Sequence, residues 1–480
     1  MRRFIINLAG FSLLLVLLAG FRYPPDKAHA IDLLLQEYLQ YGQFNGSVLV
    51  AEKGTVILKR GYGFANFEWE IPNTADTKFR LASITKQFTA LLIMQQVERG
   101  RLGLDDPIMK YLPDYPKPQG EKVTVRHLLT HTSGVLNYTD NQSRQAARAS
   151  LSLDSLIAVF STRPLEFPSG SKFRYSNSGY VLLGAILEKV TGETYERLIQ
   201  REIFQPLGME NSGYDHAGPI MKKRAAGYER RPSLRNTDFL DMSRPYAAGA
   251  LYSTVEDLYL WDRALYTTRL LSEKSKTAYF TPFLNNYAFG WAVMKLPIGT
   301  SSDSALVFTH AGGINGFNTL IVRVPAEQHL IVLLNNTGAA PLREMTANVL
   351  GILYDKPYAG PRRSLADKLD EVIKEKGLDR GLATYKDLKQ EKTEYYVDEA
   401  ELNDLGYSLM QEGKVKEAIE VFKLNVAEFP ASWNVYDSLG EAFMTDGQRD
   451  PAITNYEKSV SMNPNNTGGI EALKKLKIPR

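Results

Sequence analysis

The 480-residue chain contains no cysteine. That absence excludes disulfides, thiolate catalysis and cysteine-based zinc sites. A surplus of charge of one sign is also missing. Residues 1–30 hold four of the 57 Lys+Arg and one of the 54 Asp+Glu, so 53 of each remain beyond them. With that balance, the sequence pI near 8.6 gives no case for nucleic acid. One basic cluster, Lys222-Lys223-Arg224 with Arg230-Arg231 and Arg235, reads as a solvated loop. The competing reading is a patch for an anionic substrate or an envelope surface. A lipid anchor is excluded because Phe21 follows Leu18-Ala19-Gly20, where the lipidated cysteine would have to stand.

What the N-terminus does have is the pattern of an export signal. Arg2 and Arg3 precede the apolar run Phe4 to Phe21, and Ala28-His29-Ala30 has the small-x-small form of a cleavage site. Cleavage gives a periplasmic or secreted protein. Retention of the apolar run, which is close to membrane-spanning length, gives an anchored one.

Beyond this signal, assigned to residues 1–30, the chain divides by pattern. Gly46 to Glu52 and Thr55 to Lys59 are β-rich runs around Lys53-Gly54, a hairpin signal. Comparable runs recur at Ala305 to Thr309, Asn318 to Val324 and His329 to Asn335. The stretch between, about 83–280, is mainly helical. This order predicts one antiparallel sheet flanked by helices, an inserted helical lobe, and a site in the cleft between them, over residues 31–360. Strand signals then vanish. Residues 361–398 read as a linking helical pair, and 399–470 carry a repeat at a spacing of 34: Leu405/Leu439, Gly406/Gly440, Gly413/Gly447, Ala418/Ala452, Phe422/Tyr456 and Pro430/Pro464. Period and residue types resemble the tetratricopeptide repeat, an all-α module. Such arrays bind proteins or peptides; the bland reading is a module that packs only against its own chain.

Three short motifs carry chemistry. In Ser83-Ile84-Thr85-Lys86 a lysine three residues after a serine lies one helical turn away, where its amine can take the hydroxyl proton. The long apolar segment Phe88 to Val97 predicts a helix opening at Ser83 and stopping near Gly100. A second Ser-x-x-Lys, Ser169 to Lys172, follows Pro168 and contains Gly170, so it reads as a loop. Tyr175-Ser176-Asn177 places a loop tyrosine, able to shuttle protons if a neighbouring cation lowers its pKa, beside an amide that could hold substrate or orient Lys86. His310-Ala311-Gly312-Gly313 stands at the end of a predicted strand, where glycines admit a substrate backbone and an N–H can face an oxyanion. His216-Ala217-Gly218 is the weaker match, in a loop. His127 and His131, at i,i+4, suggest zinc, but Leu128 stands where the motif needs glutamate. No metal or other cofactor is expected.

Together the three motifs resemble the penicillin-recognising serine hydrolases: class C β-lactamases, D-Ala-D-Ala carboxypeptidases and β-lactamase-like esterases and peptidases. The resemblance covers about residues 35–355 and extends to Gly61-Tyr62-Gly63, His131-Thr132-Ser133-Gly134, Pro206-Leu207-Gly208-Met209 and Phe289-Gly290-Trp291. It implies Ser83 as nucleophile, Lys86 as its activator, Tyr175 as proton shuttle, and Asn177, His310, Gly312 and Gly313 at the substrate. The oxyanion hole would be the N–H groups of Ser83 and Gly313. Whether lysine or tyrosine is the acylation base stays open. One departure is His310, where these enzymes usually carry the lysine of Lys-Thr-Gly. Histidine is mostly neutral at pH 7, which points away from carboxylate-recognising β-lactamases and carboxypeptidases.

The leading expectation is therefore an exported, metal-independent serine hydrolase that acts on an ester, amide or peptide through an acyl-enzyme. The alternatives are a catalytically silent binding protein recruiting a partner through its repeats, and a β-lactamase or D-Ala-D-Ala carboxypeptidase proper.

Overall fold

A computed structural model describes residues 26–141, 144–230 and 234–478. The apolar run Phe4 to Phe21 and Arg231 lie outside them. The described part opens with α1 (Lys27–Gln40), capped by Asp26, whose carboxylate accepts the N–H of Ala28. The cleavage-like Ala28-His29-Ala30 therefore lies inside the first turns of a helix. Just before it, Lys27 is bound to Glu52 at 2.9 Å and to Asp355 at 3.1 Å.

Six strands form the central sheet: β1 (Gly46–Glu52), β2 (Thr55–Tyr62), β3 (Ala292–Pro297), β4 (Ser304–Ile314), β5 (Phe317–Val324) and β6 (His329–Asn335). Their order is β3-β4-β5-β6-β1-β2. The early hairpin thus joins the late strands, with β1 antiparallel to β6 and Val48 opposite Leu333. Lys53 (φ 48°) and Gly54 (φ 82°) make the turn between β1 and β2, left-handed at both positions as a tight hairpin requires. Side chains alternate along each strand. Leu49, Ile321, Val332 and Leu334 face the helical lobe, while Val48, Val50, Val322 and Leu333 pack against α1 and the helix α4 (Leu342–Leu353).

One expectation fails here. The motif His310 to Gly313 does not end a strand but lies within β4, pairing with β5 (His310 opposite Ile321, Gly313 opposite Asn318). The strand runs on because β5 pairs with it as far as Ile314 opposite Phe317, whereas its neighbour on the other side is shorter. β3 pairs only up to Ala292 opposite Thr309, so residues 310–314 keep their backbone hydrogen bonds on one side and leave the other edge open. Glycines suppress the strand signal that β-branched residues give, and so the motif looked like a terminus.

Inside the lobe, α2 (Thr85–Glu98) is buried from Thr85 to Gln96. It begins at Thr85, two residues after Ser83, because Ala82–Ile84 is a 3₁₀ turn carrying Ser83. A second buried helix, α3 (Asn177–Thr191), starts at the asparagine of Tyr175-Ser176-Asn177.

The C-terminal part is helical apart from one two-residue parallel pairing of Arg363–Ser364 with Tyr395–Tyr396. The pair α5 (Leu365–Lys376) and α6 (Leu378–Leu388) precedes α7 (Glu399–Gln411), α8 (Val415–Glu428), α9 (Trp433–Thr445), α10 (Arg449–Met462) and α11 (Thr467–Leu476). The 34-residue period has a direct packing cause: Gly406 sits under the ring of Phe422, and Gly440 under that of Tyr456. Arg230 joins the two parts through Asp367 at 2.6 Å. Other members of the basic cluster are similarly paired, Arg224 with the buried Asp215 and Arg235 with Glu229.

Candidate active site

Ser83 lies on the 3₁₀ turn between a short strand, Phe79–Arg80, and α2. Ala82 before it takes a left-handed φ of 49°, a strained conformation that costs about 1–3 kcal/mol and concentrates at functional turns. Gly312 of β4 packs directly on this turn. A Cβ there would overlap Leu81 O and the Thr319 hydroxyl, and Thr319 Oγ1 itself donates to Leu81 O at 3.0 Å. Gly312 is thus a packing requirement of the turn. At Gly313 nothing lies within 4 Å of the Cβ position, and the residue lines the cavity beside Ser83.

Lys86 is fully buried at the centre. Its Nζ is 3.1 Å from Ser83 Oγ, 2.8 Å from Asn177 Oδ1 and 2.8 Å from Ala248 O. The Asn177 amide is oriented in turn: its Nδ2 donates to Thr139 Oγ1 at 3.1 Å, and its backbone N–H to Asn137 Oδ1 at 2.9 Å. Burial pushes the Lys86 ammonium well below the usual lysine value of 10.5, and no carboxylate opposes this. The Tyr175 ring, 4.8 Å from Nζ, favours the cation but is outweighed by burial.

Tyr175 reverses an expectation. No neighbouring cation lowers its pKa; burial raises it above the usual 10, offset only in part by the nearby Ser83 hydroxyl. That proximity falls short of hydrogen-bond geometry, and the buried Tyr175 hydroxyl has no partner among the described residues. His131 tilts against the Tyr175 ring at 4.3 Å, and its Nδ1 accepts the N–H of Ser176 at 3.1 Å. His127 instead accepts the Thr124 N–H at 3.2 Å in a helix cap. No cluster of metal-ligating side chains occurs among the described residues.

His310 is buried with both ring nitrogens engaged. Nδ1 lies 2.7 Å from Ala311 O, so it carries the proton, and Nε2 accepts the Tyr287 hydroxyl at 2.9 Å. Burial, with Lys86 nearby, takes its pKa down to about 3. His310 therefore contributes a neutral ring. Tyr287 and Ala248 were missed in the sequence because each reaches the site from a distant segment, Ala248 from the short helix Tyr246–Gly249; His131 was read as a possible zinc ligand and instead packs on Tyr175.

Ser83 stands between two cavities. One, about 410 Å³, is lined by Asn177, Gly313, Asn315 and Arg244. The other, about 350 Å³, is lined by Tyr175, His310, Tyr287 and apolar side chains such as Met294 and Leu296, with Arg343 at its edge. The second Ser-x-x-Lys is a surface loop, with Ser169 donating to Ser133 O, and His216 pairs with Glu196 far from these cavities.

A half-buried serine beside a buried lysine under an antiparallel sheet, with a tyrosine and an asparagine from one helix start, defines a class, and family comparison agrees. Residues 31–353 match the β-lactamase family model, and 434–466 match a tetratricopeptide repeat. The chain belongs to the β-lactamase family of serine hydrolases, with tetratricopeptide repeats at its C-terminus. It is 31% identical over 374 residues to penicillin-binding protein 4* of Bacillus subtilis (strain 168), covering 72% of this chain and 80% of that protein. Among solved structures, the penicillin-binding protein of Bacillus halodurans superposes with a TM-score of 0.58 at 29% identity, over 65% of this chain and 97% of that one. The D-amino acid amidase of Ochrobactrum anthropi SV3 gives 0.61 at 25% identity, over 69% and 99%.

Proposed function

We propose that the protein hydrolyses an ester, amide or peptide through an acyl-enzyme on Ser83, with Lys86 as the base. The observation that carries this is the surroundings of Lys86 Nζ. A neutral amine has two N–H groups and one lone pair. Asn177 Oδ1 and Ala248 O take the two N–H groups, which turns the lone pair to Ser83 Oγ. Ser83 gives its proton to Lys86 as Oγ bonds to the acyl carbon, and the N–H groups of Ser83 and Gly313 receive the oxyanion. Tyr175, a neutral phenol, gives its proton to the departing group and recovers one from the Lys86 ammonium. Water then attacks the acyl carbon, Lys86 takes a proton from it, and Ser83 leaves with a proton.

Asn177 and Gly313 line the larger cavity, which takes the acyl portion; Tyr175 lines the smaller one, which takes the leaving group. Similarity to an amidase supports an amide or peptide among the substrates. A β-lactamase proper is disfavoured by the neutral His310, and nitrocefin turnover is expected to be slow. Export through the Arg2-Arg3 and Phe4 to Phe21 segment, and a protein or peptide partner for the repeats, belong to the same proposal. A fluorophosphonate probe should label the wild type and not Ser83→Ala; labelling that survives the substitution overturns the assignment.

A further inference from the structure

The cavity on the acyl side of Ser83 does not end at the groups used above. Tyr138 and Arg244 line both it and a neighbouring cavity of about 750 Å³. Arg244 is 7% exposed, a rare place for a guanidinium without an anion. Its backbone is fixed on both sides, the N–H donating to Asp241 O at 3.2 Å and the carbonyl accepting the Tyr138 hydroxyl. Its Nε donates to Ala149 O at 2.8 Å. The terminal nitrogens, Nη1 and Nη2, meet no acceptor among the described residues. The acidic side chains lining the acyl cavity are committed elsewhere. Glu229 is held by Arg235 at 2.6 Å, and Asp238 is not free either.

Arginine cannot relieve burial by giving up its proton, so an unpaired guanidinium here gains from any anion that reaches it. With Nε spent on Ala149, the edge that remains is the Nη1/Nη2 pair, whose parallel N–H groups match the two oxygens of a carboxylate. We propose that Arg244 binds a carboxylate carried on the acyl portion of the substrate, distal to the bond that is cleaved. The assignment to the acyl portion rests on Ser83 as nucleophile. The anion site itself rests on Arg244 and its cavity.

The test uses mono-p-nitrophenyl adipate and its carboxamide counterpart, which differ only in the distal charge. Binding is measured by calorimetry on full-length Ser83→Ala, where turnover does not interfere. We expect the carboxylate ester to bind about tenfold or more tightly than the carboxamide, the scale of a hydrogen bond to a charged group. Adding Arg244→Gln should bring that ratio to about one, while Arg244→Lys, which keeps the charge and loses the fork, should leave an intermediate preference. Equal binding of the two esters to Ser83→Ala overturns the proposal, as does a preference that survives Arg244→Gln. In the wild type, absence of turnover with the binding preference intact would overturn the hydrolase reading and leave the anion site standing.

Discussion

Asn177 Oδ1 accepts a hydrogen bond from Lys86 Nζ at 2.8 Å, and the same amide donates to Thr139. The side chain is thereby fixed with its oxygen toward the lysine and no formal charge. A carboxylate in its place would hold Lys86 as an ammonium, because an opposite charge in contact raises a lysine pKa by about 1–3. Asn177→Asp should therefore lower kcat/KM at neutral pH by about tenfold or more and move the rising limb of the pH profile upward. A profile unchanged in position would argue against Lys86 as base.

The wild-type pH profile follows from the two opposite shifts. Lys86 loses its proton well below 10.5, and Tyr175 keeps its own beyond 10. Activity should rise as Lys86 deprotonates, at a pH well below the ordinary lysine range, and decline only as Tyr175 ionises. kcat/KM for p-nitrophenyl butyrate across pH 4 to about 11 tests this, with the range set by the lysine and tyrosine reference values.

His310 makes a stability prediction. Its folded-state pKa, about 3, lies below the ordinary 6.5, so between these values the unfolded chain binds a proton that the folded one refuses. The stabilisation is fully present above pH 6.5 and is lost progressively as the pH falls toward 3. Urea unfolding should show His310→Gln losing less stability than the wild type across that window. Parallel losses would disprove the contribution.

The adjacent glycines of β4 should behave differently. Gly312→Ala forces a methyl group onto Leu81 O and Thr319, and should cost about 1–3 kcal/mol and most of the activity, since the displaced turn carries Ser83. Gly313→Ala meets open space and should fold with little change in melting temperature. Equal losses in the two variants would contradict the packing described.

Much of the site was legible because its pieces are local. Ser83 and Lys86 are one turn apart, and Tyr175 and Asn177 flank a helix start, so spacing alone kept each pair together. The hairpin at Lys53-Gly54 was legible for the same reason, and the repeat at Gly406/Gly440 through its period. The sense of the Tyr175 shift was not, because it depends on how many atoms from elsewhere bury the ring. Nor was the length of β4, which is set by its pairing with β5 as far as Ile314. Arg244 is the extreme case: within the sequence Ser243-Arg244-Pro245 it is an ordinary polar loop residue, and only the fold encloses it.

The complete burial of α2 from Thr85 to Gln96 has a consequence for how the enzyme fails. Lys86 hangs from a helix that has no solvent-facing side along this stretch, so no local fraying can expose it. The site shares the opening free energy of the lobe's core. Inactivation by heat or denaturant should then coincide with loss of the hydrolase core rather than precede it, and melting of the C-terminal repeats alone should leave the Ser83/Lys86 pair in place.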